Sequence, residues 1–148
     1  ERAEELQIVS ETTTVDHGAV RTVLSKEDVL RFQSLVRRVP VSSHVLEFAV
    51  DLARATRPGD VGALSFVREY VEWGAGPRAS QYLVLGAKAN ALLNGRPSPS
   101  TDDVRAVAPA VLAHRIIPNY KAAGEGITSA NVIETLLKNV KEPDYKGR

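Results

Sequence analysis

The sequence predicts a mainly α fold: a small helical bundle with one short two-stranded β pairing. Three observations carry that expectation. Apolar residues recur at the 3.6-residue period in several separate stretches, and most of these open on a Ser, Thr or Gly suited to cap a helix. Pro and Gly punctuate the gaps between them. Only two short segments, one ending at Trp73 and one from Arg115 to Tyr120, read as extended, and these could pair with each other. At 148 residues the chain is expected to form one domain and to bury about two-thirds of its unfolded surface.

In chain order, residues 1–10 read as a short helix with Ala3, Leu6 and Val9 on one face. Residues 11–23 have no period, so 1–24 is taken as a helix remnant and linker, in which Asp16 and His17 read as solvated loop residues. Ser25 and Asp28 open the next helix, where Val29, Phe32, Leu35, Val36 and Val39 should be the buried stripe, Glu27 and Arg31 should pair outside, and Pro40 should stop the helix. A third helix, capped by Ser42 or Ser43, should bury Val45, Phe48, Ala49, Leu52 and Ala53.

Leu64 to Trp73 reads as a helical turn that becomes extended by Trp73. The following helix, Pro77 to Asn94, is apolar on nearly all sides and is expected to be central, with Gly86 admitting a close neighbour and Gly95 as its C′ residue. Ser100 and Asp103 cap a further helix, which Pro109 should kink or split. Gly124 and Gly126 break the chain, and Thr128 caps a last helix with Val132, Ile133, Leu136, Leu137 and Val140 as its core face. Residues 141–148 read as a polar, frayed tail.

Composition narrows the chemistry. Without cysteine there is no disulfide framework, thiolate metal site or cysteine nucleophile, and a cytoplasmic location is expected. No run of 18 apolar residues suggests a membrane span, and no signal peptide is recognisable. Without any methionine, the chain is expected to be a processed piece of something longer. Net charge is +1, divided as −3 over residues 1–74 and +4 over 75–148, which suits an anionic ligand but falls well short of a nucleic-acid-binding stripe.

One stretch looks like chemistry. Gly76 can serve as N-cap, Pro77 suits the first helical position, and Arg78 then sits in the first turn, where the helix dipole already places partial positive charge. No Asp or Glu occurs from Pro77 to Arg96. The anion that would compensate Arg78 must come from elsewhere: a phosphate or carboxylate ligand, or an ordinary ion pair with Glu72 or another distant acid. The residues alone leave both readings open.

Other motifs give way to plainer readings. Gly74-x-Gly76-x-x-Ala79 matches the loosest dinucleotide fingerprint, but no second parallel strand or ribose-binding acid follows. There is no P-loop motif, His17, His44 and His114 lack metal spacing, and no Ser or Thr has a His/Asp pairing. A helix-turn-helix reading fails on the helix after Ser100, which would show DNA Asp102, Asp103 and only Arg105.

The order of motifs resembles the C-terminal helical lid of AAA+ ATPases of the MoxR group, kin to the magnesium-chelatase ATPase subunit. The resemblance rests on Glu27-Asp28-Val29-Leu30, Val36-Arg37-Arg38-Val39, Ala55-Thr56-Arg57, Gly74-Ala75-Gly76-Pro77-Arg78-Ala79, Ala87-Lys88-Ala89 through Gly95-Arg96, and Asp103-Val104-Arg105 through Ile116. It spans roughly residues 1–140, with 25–140 as the lid itself; Gly76 stands where the group more often has serine. The resemblance implies that Arg78, set up by Gly76 and Pro77, is the sensor-2 arginine contacting the terminal phosphates of ATP. It further implies that ATP and Mg are held mainly by a P-loop subdomain upstream in the same chain, with the Walker residues there. This stretch alone would then hydrolyse nothing. Neighbouring subunits of an ATPase ring and von Willebrand A-type proteins are the further partners implied. Two other classes remain as alternatives: a non-enzymatic helical adaptor in which Arg78 is buried and paired internally, and a weak DNA-binding domain.

Overall fold

The computed structural model describes residues 1–13 and 21–144, so Asp16 and His17 lie outside the described residues. Two units are formed, Glu1–Phe32 and Gln33–Arg148. The first holds α1 (Arg2–Thr12), none of whose residues is buried, and the start of α2 (Lys26–Arg38). The cap of α2 is as the sequence suggests. Asp28 N–H donates to Ser25 Oγ at 3.1 Å and the Asp28 carboxylate accepts from Ser25 N–H at 3.1 Å, so two groups at the helix start satisfy each other. The carboxylate also accepts from Ser25 Oγ at 2.7 Å, and that bond foremost, with the one from Ser25 N–H, holds the Asp28 carboxyl below the usual aspartate value.

Two expectations for α2 fail. Val29, Phe32 and Leu35 are exposed, because an amphipathic period says which face is apolar without supplying anything to cover it. Arg31 stands 4.0 Å from Asp28 rather than pairing with Glu27, since the capping carboxylate is also within reach one turn back.

The core lies in the second unit. After Pro40, Ser42 takes the N-cap position of α3 (Ser43–Ala55) without a side-chain capping bond, and Val45, Phe48, Ala49, Leu52 and Ala53 are all fully buried, as the period predicts. A short α4 (Ser65–Tyr70) passes directly into β1 (Val71–Trp73). β1 pairs antiparallel with β2 (Ile117–Pro118), Val71 opposite Pro118 and Trp73 opposite Ile117 with an irregularity between. This is the two-stranded pairing the sequence suggests. Asn119 extends it, donating its N–H to Tyr70 O at 2.9 Å and its side-chain amide to Glu69 O at 2.8 Å.

α5 (Pro77–Leu93) packs between α3 and α6 (Thr101–Leu112). Its buried row is narrow: Ala79, Leu83, Ala87 and Ala91, each four residues from the next. The helix is central as expected, although Tyr82 and Leu93 on its other sides are exposed. Small residues bring the partners close, and at Gly86 a Cβ would stand 3.2 Å from Val107 Cγ2. α5 ends as expected. Gly95 takes φ +69°, its N–H donates to Leu92 O at 3.0 Å, and Arg96 N–H donates to Ala91 O at 2.8 Å, which is the Schellman arrangement.

α6 runs unbroken through Pro109, so the proline does not split it. Val104, Ala108 and Leu112 are fully buried and hold the helix to the core on either side of the proline, whose ring lies at an exposed position. A five-residue α7 (Tyr120–Gly124), capped by the Asn119 side chain, follows β2 where the sequence suggested only a break. α8 (Ser129–Asn139) then closes the core with Val132, Ile133 and Leu136, after a reciprocal cap between Thr128 and Asn131. The segment after α8 is not simply a free tail. Glu142 accepts from Thr101 Oγ1 at 2.9 Å and from Arg105 at 3.0 Å, and Arg105 also donates to Leu137 O at 2.6 Å. Residues 145–148 lie outside the described residues.

Candidate functional site

The approach to α5 is built from the end of α3. Thr56, fully buried, donates its hydroxyl to Ala53 O at 2.6 Å and accepts from Ala75 N–H at 2.8 Å. Next to it, Arg57 donates Nε–H to Ala75 O at 2.8 Å. Two consecutive side chains therefore satisfy both backbone groups of one residue, which is how an irregular segment can run through the interior without orphaned polar atoms. Gly74 explains itself here. A Cβ on it would fall 2.4 Å from Thr56 O and 2.7 Å from Arg57 Cα, so only glycine admits this approach.

From Ala75 the chain reaches Arg78 in three steps. Gly76 is the N-cap with extended backbone, φ −79° and ψ −179°, and Pro77 is the first helical residue with φ fixed by its ring. No side chain caps this helix start. Ala79 N–H is already bonded to Gly76 O at 2.9 Å and Pro77 has no N–H, so the row of free donors expected from the sequence shrinks to the Arg78 backbone N–H and its guanidinium. Arg78 is exposed, and among the described residues it makes no hydrogen bond or ion pair. Glu72 is exposed and does not pair with it. The buried, internally bridged Arg78 that the adaptor reading requires is therefore not what the structure contains.

Gly76 has nothing within 4 Å of where a Cβ would stand. Gly76→Ser should therefore be accommodated without displacement and raise stability by a few tenths of a kcal/mol through a side-chain cap. A chemical-denaturation midpoint below that of the wild type would contradict this.

The other sequence candidates are not drawn together. His114 lies against the Arg115 guanidinium, His44 sits in the first turn of α3, and no group of three His, Asp or Glu side chains able to hold a metal ion occurs among the described residues. No helix among the described residues is long and apolar enough to cross a membrane. Asp103, counted among the exposed acids of the would-be DNA-reading helix, is only 2 % exposed. It serves instead as an internal hub for Arg96, Asn90 and Ser100. Sequence reasoning missed the Thr56–Arg57 clamp as a structural device; the only signal of it was that Ala55-Thr56-Arg57 belongs to the set of motifs carrying the family resemblance.

A mainly helical unit with one small antiparallel β pairing beside its central helix has the architecture of the AAA lid domains. Residues 64–136 match the AAA lid domain family. The chain belongs to the lid domains of MoxR-type AAA+ proteins. It is 32 % identical over 127 residues to Chaperone MoxR1 of Mycobacterium tuberculosis, covering 86 % of this chain and 34 % of that one. It is 36 % identical over 102 residues to Protein MoxR of Paracoccus denitrificans, covering 65 % and 30 %. A crystallised candidate ATPase from Cytophaga hutchinsonii superposes with a TM-score of 0.86 at 33 % identity, over 97 % of this chain and 44 % of that one. The chain thus spans about a third of the length of the curated relatives it matches.

Proposed function

We propose that this chain is the lid of a chaperone-like ATPase, closing over ATP held by a P-loop subdomain and sensing its terminal phosphates through Arg78. The observation that carries the reading is an exposed guanidinium with no partner among the described residues, in the first turn of a helix whose entry is clamped. There the helix dipole opposes a lone cation, so the side chain gains most when an anion arrives. A phosphate gains in turn from a donor fork and a helix N-terminus. Contact between lid and phosphates would link lid position to nucleotide state, a closure step of the kind many NTPases use.

In this reading residues 25–140 form the lid, and Gly76 and Pro77 set the direction of Arg78. Mg and the bulk of ATP are then held by the upstream P-loop subdomain. The same reading places the protein in the cytoplasm as part of an ATPase ring, with von Willebrand A-type proteins as candidate partners.

Arg78→Ala in the complete ATPase should lower turnover about tenfold, equivalent to about 1.4 kcal/mol of transition-state stabilisation. The thermal melt of the 148-residue chain should stay where it was, because the side chain is exposed and makes no hydrogen bond or ion pair among the described residues. Unchanged hydrolysis would sink the assignment. The isolated chain should bind ATP no more tightly than about millimolar, since one arginine and a helix end supply little of the ~8 kcal/mol that micromolar affinity requires.

A further inference from the structure

We infer that Thr56 and Arg57 are positioning residues for Arg78, coupling the end of α3 to the nucleotide-sensing arginine; the inference rests on the ATP-sensing reading. The bonds run from two adjacent side chains to the N–H and the C=O of a single residue, Ala75, at 2.8 Å each. Gly74 lies directly against the backbone of the same two residues. The segment is therefore fixed on three sides by one helix end.

Little slack separates this clamp from the arginine. Gly76 is extended and Pro77 has its φ locked, so the soft torsions between Ala75 and the Arg78 backbone are few. Removing the clamp frees Gly76, the least restrained residue type, to change the angle at which the helix start meets its entry loop. Beyond that point Ala79 is fully buried, so the helix body stays held by its packing while its first turn is free to shift. A contact that depends on a guanidinium meeting phosphate oxygens in fixed geometry is sensitive to a displacement of about 1 Å, which can cost on the order of 100-fold.

Arg57 also differs from a purely structural arginine. It is half-buried, and the one side-chain hydrogen bond it makes among the described residues goes to a main-chain carbonyl rather than to a carboxylate, so its side chain there holds backbone. Thr56 uses its hydroxyl both as donor and as acceptor. Its hydroxyl proton goes to Ala53 O, and a lone pair takes the Ala75 N–H.

The test is a pair of double-mutant cycles on ATP hydrolysis in the complete ATPase, with Arg57→Met and Thr56→Val each combined with Arg78→Ala. Arg57→Met and Thr56→Val should each lower kcat/KM for ATP about three- to tenfold when Arg78 is present. In the Arg78→Ala background each should change it by less than twofold, because there is no longer an arginine to misplace. Thr56→Ser, which keeps the hydroxyl, should return activity to within twofold of wild type. Arg57→Met serves as the second variant because it leaves the buried Thr56 bonds in place if Thr56→Val folds poorly. Losses that multiply equally in both backgrounds would show a general structural role and overturn the inference, as would a neutral Arg57→Met. If Arg78→Ala itself leaves turnover unchanged, the ATP-sensing reading fails and this inference with it. A tenfold effect of Arg78→Ala alongside neutral or multiplicative clamp variants removes the inference alone.

Discussion

Gly74→Ala should lower the stability of the chain by about 3 kcal/mol and its melting temperature by roughly 10 °C. The added methyl carbon would stand 2.4 Å from Thr56 O, 2.6 Å from Thr56 C and 2.7 Å from Arg57 Cα. All three neighbours are main-chain atoms, so no rotamer change relieves the clash. Either the end of α3 or the entry to α5 must move, and movement of either pulls on the Ala75 bonds to Thr56 and Arg57. Each lost bond in a buried setting costs about 1 kcal/mol or more when its partners stay dry. Gly76→Ser, two residues further on and in open space, is the internal control and should melt at or slightly above the wild type. Circular dichroism melts of both variants decide the point: a Gly74→Ala protein melting within 2 °C of wild type would show that the approach of Gly74 to α3 is not as close as described.

These two glycines also show where sequence reading stops. Gly76-Pro77-Arg78 was legible because capping, the proline at the first helical position and the misplaced charge all act within these three consecutive residues. Gly74 had a spurious dinucleotide pattern and a place in the family motif but no local physical reason, because its reason lies in Thr56 and Arg57, 18 and 17 residues earlier in the chain. The same divide holds for the fold. The buried faces of α3 and α8 follow from period alone, and the β1–β2 pairing from two short extended segments. α7 escaped notice since five residues are too few to display a helical period. The α2 stripe was read correctly as apolar, but of it only Val39 is buried while Val29, Phe32 and Leu35 are exposed, because a pattern specifies a face and never its cover. α5 is central as expected, yet the side of the helix carrying Val84 and Leu85 opens on a groove of about 560 Å³, shared with Leu46 and Val50 of α3.

Asp103 gives the second large effect and the one with a pH signature. The sequence showed it as the third residue of a capping box, and it does accept from Ser100 N–H at 2.8 Å. The structure adds two partners. Arg96 forks onto it, Nη1 to Oδ2 at 2.6 Å and Nη2 to Oδ1 at 2.5 Å, and the Asn90 side-chain amide donates to Oδ1 at 2.7 Å. The Schellman turn at Gly95 makes this possible, because it reverses the chain and brings Arg96 back toward the start of α6. One buried carboxylate thus joins the end of α5 to the start of α6 along the most extensive helix contact in the protein. Asp103→Asn should cost about 2–4 kcal/mol at neutral pH. The lower part of that range is favoured because Arg96 is 42 % exposed and can turn to water when its partner is lost.

The pH dependence follows from the direction of the Asp103 shift. The Arg96 bonds, foremost, with those from Ser100 and Asn90, hold its carboxyl far below the ordinary 3.8 against the opposing effect of burial. With the folded-state pKa depressed, the unfolded chain binds the proton first. The stabilisation is therefore complete above about pH 5 and is lost as pH falls through the unfolded value toward the folded one, by up to about 1.4 kcal/mol per pH unit in that window. Asp103→Asn has no such proton to bind, so its deficit against wild type should shrink by more than 1 kcal/mol between pH 7 and pH 2. Other carboxylates, among them Glu142 and Asp60, also titrate below their usual values, but they do so in both proteins and cancel in the difference. Urea unfolding of the two chains at both pH values measures this directly. A deficit that stays constant from pH 7 to pH 2 would mean that Asp103 acts through shape and capping alone, and that the Arg96 fork contributes nothing to holding α5 on α6.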